Sequence, residues 1–328
     1  MGKHILKRLC YAVVVFIIVS IILFSLFSMV PGDRAMLMIG GSPTPGQSVE
    51  DFWLMHERAR AQLGLDRPVP VQYLMWMRNV LTLDFGTSIV HHQDIMNLIR
   101  PAMFNTIRLN IFTLIFVFLI TIPMGIMAAV KHGKPFDKSV QVFTIVGMSV
   151  PGFIWALLLI CIFSVVLNLL PISGAGTPGF TGTGFARMLD TARYMVLPVS
   201  TMVLMSLAGL TRFMRAGMVE ALREDYIRTA RAKGVREKIV IYSHAFRNSL
   251  IPLVTIVPGW FVGLFGGSVI IERMFSWNGM GNLLIESLNT RDFGVSFAVF
   301  LFYLVLALTA NLISDICYGL VDPRAKFN

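Results

Sequence analysis

The sequence predicts an all-α integral membrane protein with six transmembrane helices and both termini in the cytoplasm. Three observations carry that expectation: an apolar composition, six long intervals without charge, and lysines confined to alternate connections. Of the 328 residues, 55% are hydrophobic and 14% charged, whereas a soluble domain carries about a quarter charged residues. Five intervals of 18 to 24 residues hold no Asp, Glu, Lys or Arg: Arg8 to Asp33, Arg108 to Lys131, Arg193 to Arg212, Arg247 to Glu272 and Asp292 to Asp315. A sixth, Lys138 to Arg187, is longer, and its first part over 140–167 is predominantly apolar. A helix needs about 20 residues to cross a hydrocarbon core of about 30 Å. Lipid offers backbone groups no outside partner, so runs of this length are expected to be helical. One such run would also suit a buried helix of a large soluble protein; six together do not.

The formal charge of +10 belongs to topology and not to a nucleic-acid surface. All eight lysines (Lys3, Lys7, Lys131, Lys134, Lys138, Lys233, Lys238, Lys326) lie at the termini or in the second and fourth connections. The first long connection, Asp33 to Arg100, balances six arginines against seven acids, while Arg212 to Arg247 carries nine basic residues and four acidic ones. Basic residues mark the cytoplasmic side, which places that connection and both ends of the chain inside.

The elements follow in order. The run to Val30 is longer than a secretory h-region of about 7–15 residues and shows no small-x-small cleavage site, so it reads as an uncleaved first span near 9–30. Residues 31–103 form an extracytoplasmic segment, broken by the turn-rich Gly40–Gly46. Short helices are expected in it at Glu57–Leu63, Val71–Leu81 and Ile95–Ile99. The remaining 104–328 form a five-span core, with spans near 104–130, 140–167, 195–217, 250–272 and 294–319. Its outer loop Pro171–Gly184 is rich in Gly, Pro and Thr and reads as irregular. Its inner connection, 220–248, is the notable one. Glu220 to Gly234 reads as a helix with Glu224 four residues before Arg228, the favourable order for an ion pair. Leu222, Tyr226, Thr229 and Ala230 share one face, and Gly234 stands where a left-handed residue would end the helix. A second amphipathic stretch, Lys238–Phe246, leads to the fifth span at Pro252.

Chemistry of its own is hard to find in this chain. No G-x-x-x-x-G-K-[ST] phosphate cradle occurs, since Gly133-Lys134 has Ala128 and Pro135 at the wrong positions. If ATP drives the protein, a separate subunit hydrolyses it. An ion-coupled carrier would favour ionisable residues within the spans; Asp315 is the exception there, and it sits near the inner end, where a carboxylate can reach the interface. His91-His92-Gln93-Asp94 lacks an evident third ligand for a metal. Cys10, Cys161 and Cys317 lie in or beside spans and suggest neither a disulfide framework nor a zinc site. Nucleophile-elbow and zinc-protease patterns are missing, so an intramembrane enzyme is unsupported.

The inner connection carries the sharper signal. Asp225-Tyr226-Ile227-Arg228-Thr229-Ala230-Arg231-Ala232-Lys233-Gly234, continuing to His244-Ala245-Phe246-Arg247-Asn248-Ser249-Leu250-Ile251-Pro252, resembles the cytoplasmic coupling loop of ABC-importer permeases, and within them the dipeptide, oligopeptide and nickel group. Leu63–Tyr73, Asp84–Ser88, Asn105-Thr106 with Leu109, Glu272–Gly281 and Asp322-Pro323-Arg324 resemble the same group, in the same order. Val30-Pro31-Gly32-Asp33 fits too, although Arg34 replaces the usual proline. The resemblance implies a type I importer permease fold in the bacterial inner membrane and an ATP-driven importer of peptides (di- or oligopeptides, or glutathione-like molecules). It implies a second homologous permease, two ATP-binding subunits and an extracytoplasmic substrate-binding protein. It implies no cofactor in this chain, ATP and magnesium being held by the partner ATPase. Asp225, Tyr226, Arg228, Thr229, Ala230, Arg231 and Gly234 would form the contact with that ATPase. The alternatives are an importer permease for nickel or another small solute, and an ion-coupled secondary transporter.

Overall fold

The computed structural model describes residues 2–29, 32–43, 46, 48–250, 263 and 268–321. Every regular element among them is helical: α1 (Gly2–Ser28), α2 (Arg34–Met38), α3 (Val49–Gln62), α4 (Val69–Leu81), α5 (Ile95–Val130), α6 (Pro135–Ser149) and α7 (Gly152–Leu159, continued by a π-helical stretch Ile160–Val166) come first.

 The chain continues with α8 (Phe185–Ala221), α9 (Asp225–Ala232) and α10 (Glu237–Ile239), the last running through a π-helical stretch Val240–Ala245 into α11 (Phe246–Ser249). After the undescribed residues come α12 (Val269–Met274), α13 (Met280–Asn289) and α14 (Phe293–Val321). Among the described residues four helical runs are long and apolar enough to cross a membrane: Leu6–Ser28, Ile95–Val130, Phe185–Ala221 and Phe293–Ile313. α6 and α7, the latter taken through Leu159 to Val166, pass the same test only as a pair, bent by 103°.

Two of the expected elements take a different form, and a third falls mostly outside the described residues. The short helix at Ile95–Ile99 is the opening of the continuous α5, which runs on through Pro101 and Pro123. Each proline removes one backbone donor, a small loss in a helix of 36 residues. The expected span over 140–167 is broken, because Val150 precedes Pro151 and is extended (φ −88°, ψ 122°). The residue before a proline is pushed out of the helical region. The second helix then starts at Gly152, where a Cβ would lie 2.4 Å from Met205 Cε. The expected span over 250–272 falls mostly outside the described residues; at its end Ser268 is extended and α12 stands as a helix of its own.

The chain divides into two compact units. One comprises Gly2–Arg100 with Glu286–Leu308. In it α1 is held by aromatic packing: Phe24 meets Tyr73 and Trp76 at 5.6 and 5.5 Å between ring centroids, and Phe27 stacks on Phe297 at 3.9 Å. The hydroxyls of Ser20 and Tyr73 lie 2.9 Å apart. The Asp33 carboxylate caps α2, accepting from the Ala35 amide (2.9 Å), and its other oxygen meets His56 Nε2 of α3 at 2.7 Å. Burial pushes the Asp33 carboxyl up, but the His56 hydrogen bond and the amides of Ala35 and Met36 outweigh it and leave it below the usual range.

The other unit comprises Pro101–Ile285 with the chain from Thr309 onward. α8 is its axis; at 1.5 Å per residue its 37 residues extend about 55 Å, well beyond a hydrocarbon core. Leu207, Leu210, Met214 and Met218 of α8 pack in one buried cluster with Leu109, Val117 and Ile126 of α5. α6 is tied to α8 by a partly buried ion pair: the Arg215 guanidinium donates to both oxygens of the enclosed Asp137, with Nη2 to Oδ2 at 2.7 Å. The loop after the π-helical stretch is irregular but pinned, since Thr177 donates to the Asp190 carboxylate from both its amide and its hydroxyl, at 2.8 and 2.6 Å.

Candidate functional site

The segment singled out by its sequence follows α8 directly. α8 ends at Ala221, and the chain turns before Glu224, whose extended backbone (ψ 149°) makes it the residue preceding α9. The single helix expected from Glu220 to Gly234 is therefore two helices with a turn between them. Glu224 lies outside α9 and does not pair with Arg228. Asp225, in the first turn of α9, takes that place, with Arg228 Nη1 at 3.3 Å from its Oδ1. An acid in the first turn also suits the positive end of the helix dipole.

One side chain anchors α9. Ile227 is fully buried, in the cluster that holds Met214, Met218, Val240 and Ala245, with Leu222, Ala230 and Val235 packed against it. The inward face is therefore Ile227 and Ala230. Tyr226 and Thr229, expected on the face shared with Leu222 and Ala230, are exposed instead. Ile227 escaped the reading of the sequence, although it is the one aliphatic residue larger than alanine in α9.

The helix ends as the sequence predicts. Gly234 has φ +72°. The Val235 amide donates to the Ala230 carbonyl (3.2 Å) and the Gly234 amide to the Arg231 carbonyl (3.0 Å), which is the paired closure of a Schellman turn. Arg231 then reaches across the turn to Glu237, Nε to Oε2 at 3.1 Å and Nη2 to Oε1 at 2.7 Å. This two-pronged hydrogen bond holds the Glu237 carboxyl below its ordinary range and raises the Arg231 guanidinium.

The seven candidate residues thus divide by what they touch. Asp225, Tyr226, Arg228 and Thr229 are exposed; Ala230 is half-buried on the cluster; Arg231 closes onto Glu237; Gly234 makes the turn. A cavity of about 460 Å³ opens beside the start of α9, lined by Arg215, Ala216, Val219, Glu220, Arg223, Glu224 and Asp225. Such a surface can seat on a partner, but it aligns no nucleophile with a base. Among the described residues no group of three or more His, Cys, Asp or Glu side chains is placed to hold a metal. His91 Nε2 stands 3.7 Å from Glu286 Oε1. His92 occupies a left-handed turn position (φ +51°). Asp315 is half-buried on α14.

The chain is a membrane protein of long apolar helices with a short helix, α9, set between α8 and α10. Residues 121–327 match the family described as binding-protein-dependent transport system inner membrane component, and residues 1–110 match its companion N-terminal family. The chain belongs to this family: it is a multi-pass transport permease of the bacterial inner membrane, and not an enzyme. It is similar to the oligopeptide transport system permease protein AppB of Bacillus subtilis, 34% identical over 328 residues that cover 100% of both chains. It is also similar to the dipeptide transport system permease protein DppB of Escherichia coli K12, 35% identical over 344 aligned positions and 99% of each chain.

Proposed function

We propose that this chain is one permease subunit of an ATP-driven importer of peptides, forming half of the translocation path. The peptide class follows from its likeness along its whole length to AppB and DppB. In this reading the chain crosses the membrane six times with both termini in the cytoplasm, an orientation that the lysine distribution supports. It pairs with a second, homologous permease, two ATP-binding subunits and an external substrate-binding protein. ATP and magnesium stay in the ATPase. The 31–103 segment forms the outer platform, and α9 couples the permease to the ATPase.

The observation that carries the coupling reading is the construction of α9. It is an eight-residue helix held by one buried side chain, closed by a Schellman turn, and polar on its outward face. Asp225, Tyr226, Arg228 and Thr229 would meet a groove on the ATPase, Ala230 and Arg231 would hold the helix at its height, and Gly234 would set the turn. Because α8 and the 237–249 segment flank α9 covalently, closure of an ATPase dimer would pull on the bundle through both.

The test is a tagged pull-down from mild detergent, comparing the wild type with a Gly234→Asp, Arg228→Glu double variant. The wild type should bring down an ATPase and a second permease, and the variant should lose the ATPase alone. A wild type that emerges without partners, with vesicle uptake following the proton gradient and ignoring ATP, would remove the importer reading and direct attention to Asp315.

A further inference from the structure

Among the described residues Asp137, Glu272 and Asp292 carry buried carboxylates, and Glu272 lies where α5, α12 and α13 meet. Glu272 of α12 is wholly enclosed. Its Oε1 accepts from the Thr106 hydroxyl of α5 at 2.8 Å, and its Oε2 accepts from the amides of Gly281 and Asn282 at 2.7 and 3.1 Å. All three partners are neutral donors. Two of them are the opening amides of α13, so the carboxylate sits where a helix best receives negative charge.

The surroundings are built around this group. The Thr106 hydroxyl that donates to Glu272 also accepts from the Met280 amide at 2.8 Å, so α5, α12 and α13 meet in one chain of hydrogen bonds. A second bridge lies beside it: Trp277, fully buried, donates from Nε1 to the Asn105 carbonyl (3.1 Å), and Asn105 Nδ2 donates to the Asn278 carbonyl (2.9 Å). The backbone comes so close that side chains are excluded. A Cβ on Gly279 would lie 2.5 Å from the Glu272 carboxyl, and one on Gly281 would lie 2.7 Å from Val269 Cα.

We propose that Glu272 is a positioning residue that fastens this end of α5 to α12 and the start of α13, so that the three move as one body when the permease changes which side is open. The proposal rests on the importer reading. It adds where the moving parts do not bend: Asn105 and Thr106 are adjacent on one helix, and each is bonded to the 272–282 segment. A hinge at this point would have to break both bridges and strand a buried carboxylate, which is costly. The hinge must therefore lie elsewhere.

The test uses the complete transporter in lipid nanodiscs, with Cys10, Cys161 and Cys317 replaced by serine. Spin labels at Phe104→Cys and Asn278→Cys, both exposed positions, report the distance across the fastening in nucleotide-free and ATP-trapped states. The expected result is one narrow distance that is the same in both states. Thr106→Val should broaden it and make it state-dependent, with a several-fold loss of peptide moved per ATP hydrolysed. Thr106→Ser, which keeps the hydroxyl, should restore both readings. A wild-type distance that shifts between states would overturn the proposal. So would a Thr106→Val protein with unchanged distance and unchanged transport per ATP. Failure of the importer reading itself is separable, because uptake would then ignore ATP in every variant.

Discussion

The 220–249 segment and the 269–282 segment lie in the same compact unit and are built on opposite plans. α9 is held by one buried aliphatic side chain and a glycine turn, and its polar groups face outward. The 269–282 segment turns its polar groups inward: Glu272, Thr106, Asn105 and Trp277 satisfy one another and leave no room at Gly279 or Gly281. The contrast follows from what each would do. A surface that must bind and release a partner keeps its hydrogen-bonding capacity free. A body that must transmit motion without bending uses that capacity internally, where removing one partner leaves another stranded.

The largest effect should come from Trp277→Ala. The indole is fully buried, and deleting a core tryptophan costs about 3–5 kcal/mol. The Asn105 carbonyl also loses its donor. Thermal unfolding in detergent should show a large loss of melting temperature, with little protein reaching the membrane. If Trp277→Ala melts like the wild type, the 269–282 segment is not the rigid body described, and the comparison collapses.

A second effect tests the other side. Ile227→Ala removes the anchor of α9 at a nominal cost of about 2–5 kcal/mol, and it should fall near the lower end because a short helix at the edge of the bundle can settle. The loss should be local: hydrogen exchange should rise across 225–235 while the melting temperature of the bundle stays close to that of the wild type. Arg228→Glu should change neither reading, because its ion pair with Asp225 is exposed and such pairs contribute about 0–1 kcal/mol. Under the proposed function both variants lose the ATPase, Ile227→Ala by unseating the helix and Arg228→Glu by reversing a charge on its surface. A bundle-wide fall in stability for Ile227→Ala would mean that the two segments are not built differently.

The two plans were not equally legible in the sequence. Membrane helices can be read from charge-free length alone, and α1, α5, α8 and α14 lie where the gaps between charges put them. The turn at Gly234 was legible because few residues tolerate its left-handed backbone. The break at Val150-Pro151-Gly152 had a local signal, a proline before a glycine, that continuous hydropathy masks. Spacing of i to i+4 misplaces Glu224, which stands outside α9, because it takes no account of where a helix begins. The fastening at Glu272 could not be read locally: Thr106 lies 166 residues away, and no period or motif states that the two meet.

The smallest effect concerns the turn that closes α9. Glu237 is held below the ordinary carboxylate range by Arg231. A depressed folded value stabilises the turn above the unfolded pKa of about 4.3, and that contribution is lost as pH falls through the lowered value. The two side chains are 44% and 56% exposed, so solvent screening keeps the contribution below about 1 kcal/mol. A spin label at Lys233→Cys should be equally restrained from pH 7 down to about pH 5 and gain mobility only in stronger acid. Glu237→Gln should be mobile throughout, and high salt should loosen the wild type toward it. No comparable response to salt is expected at Asn278, whose neighbouring carboxylate is fully enclosed and bonded to neutral donors. If Glu237→Gln is as restrained as the wild type, the Schellman turn holds α9 without the ion pair, and Arg231 is left free for the partner surface.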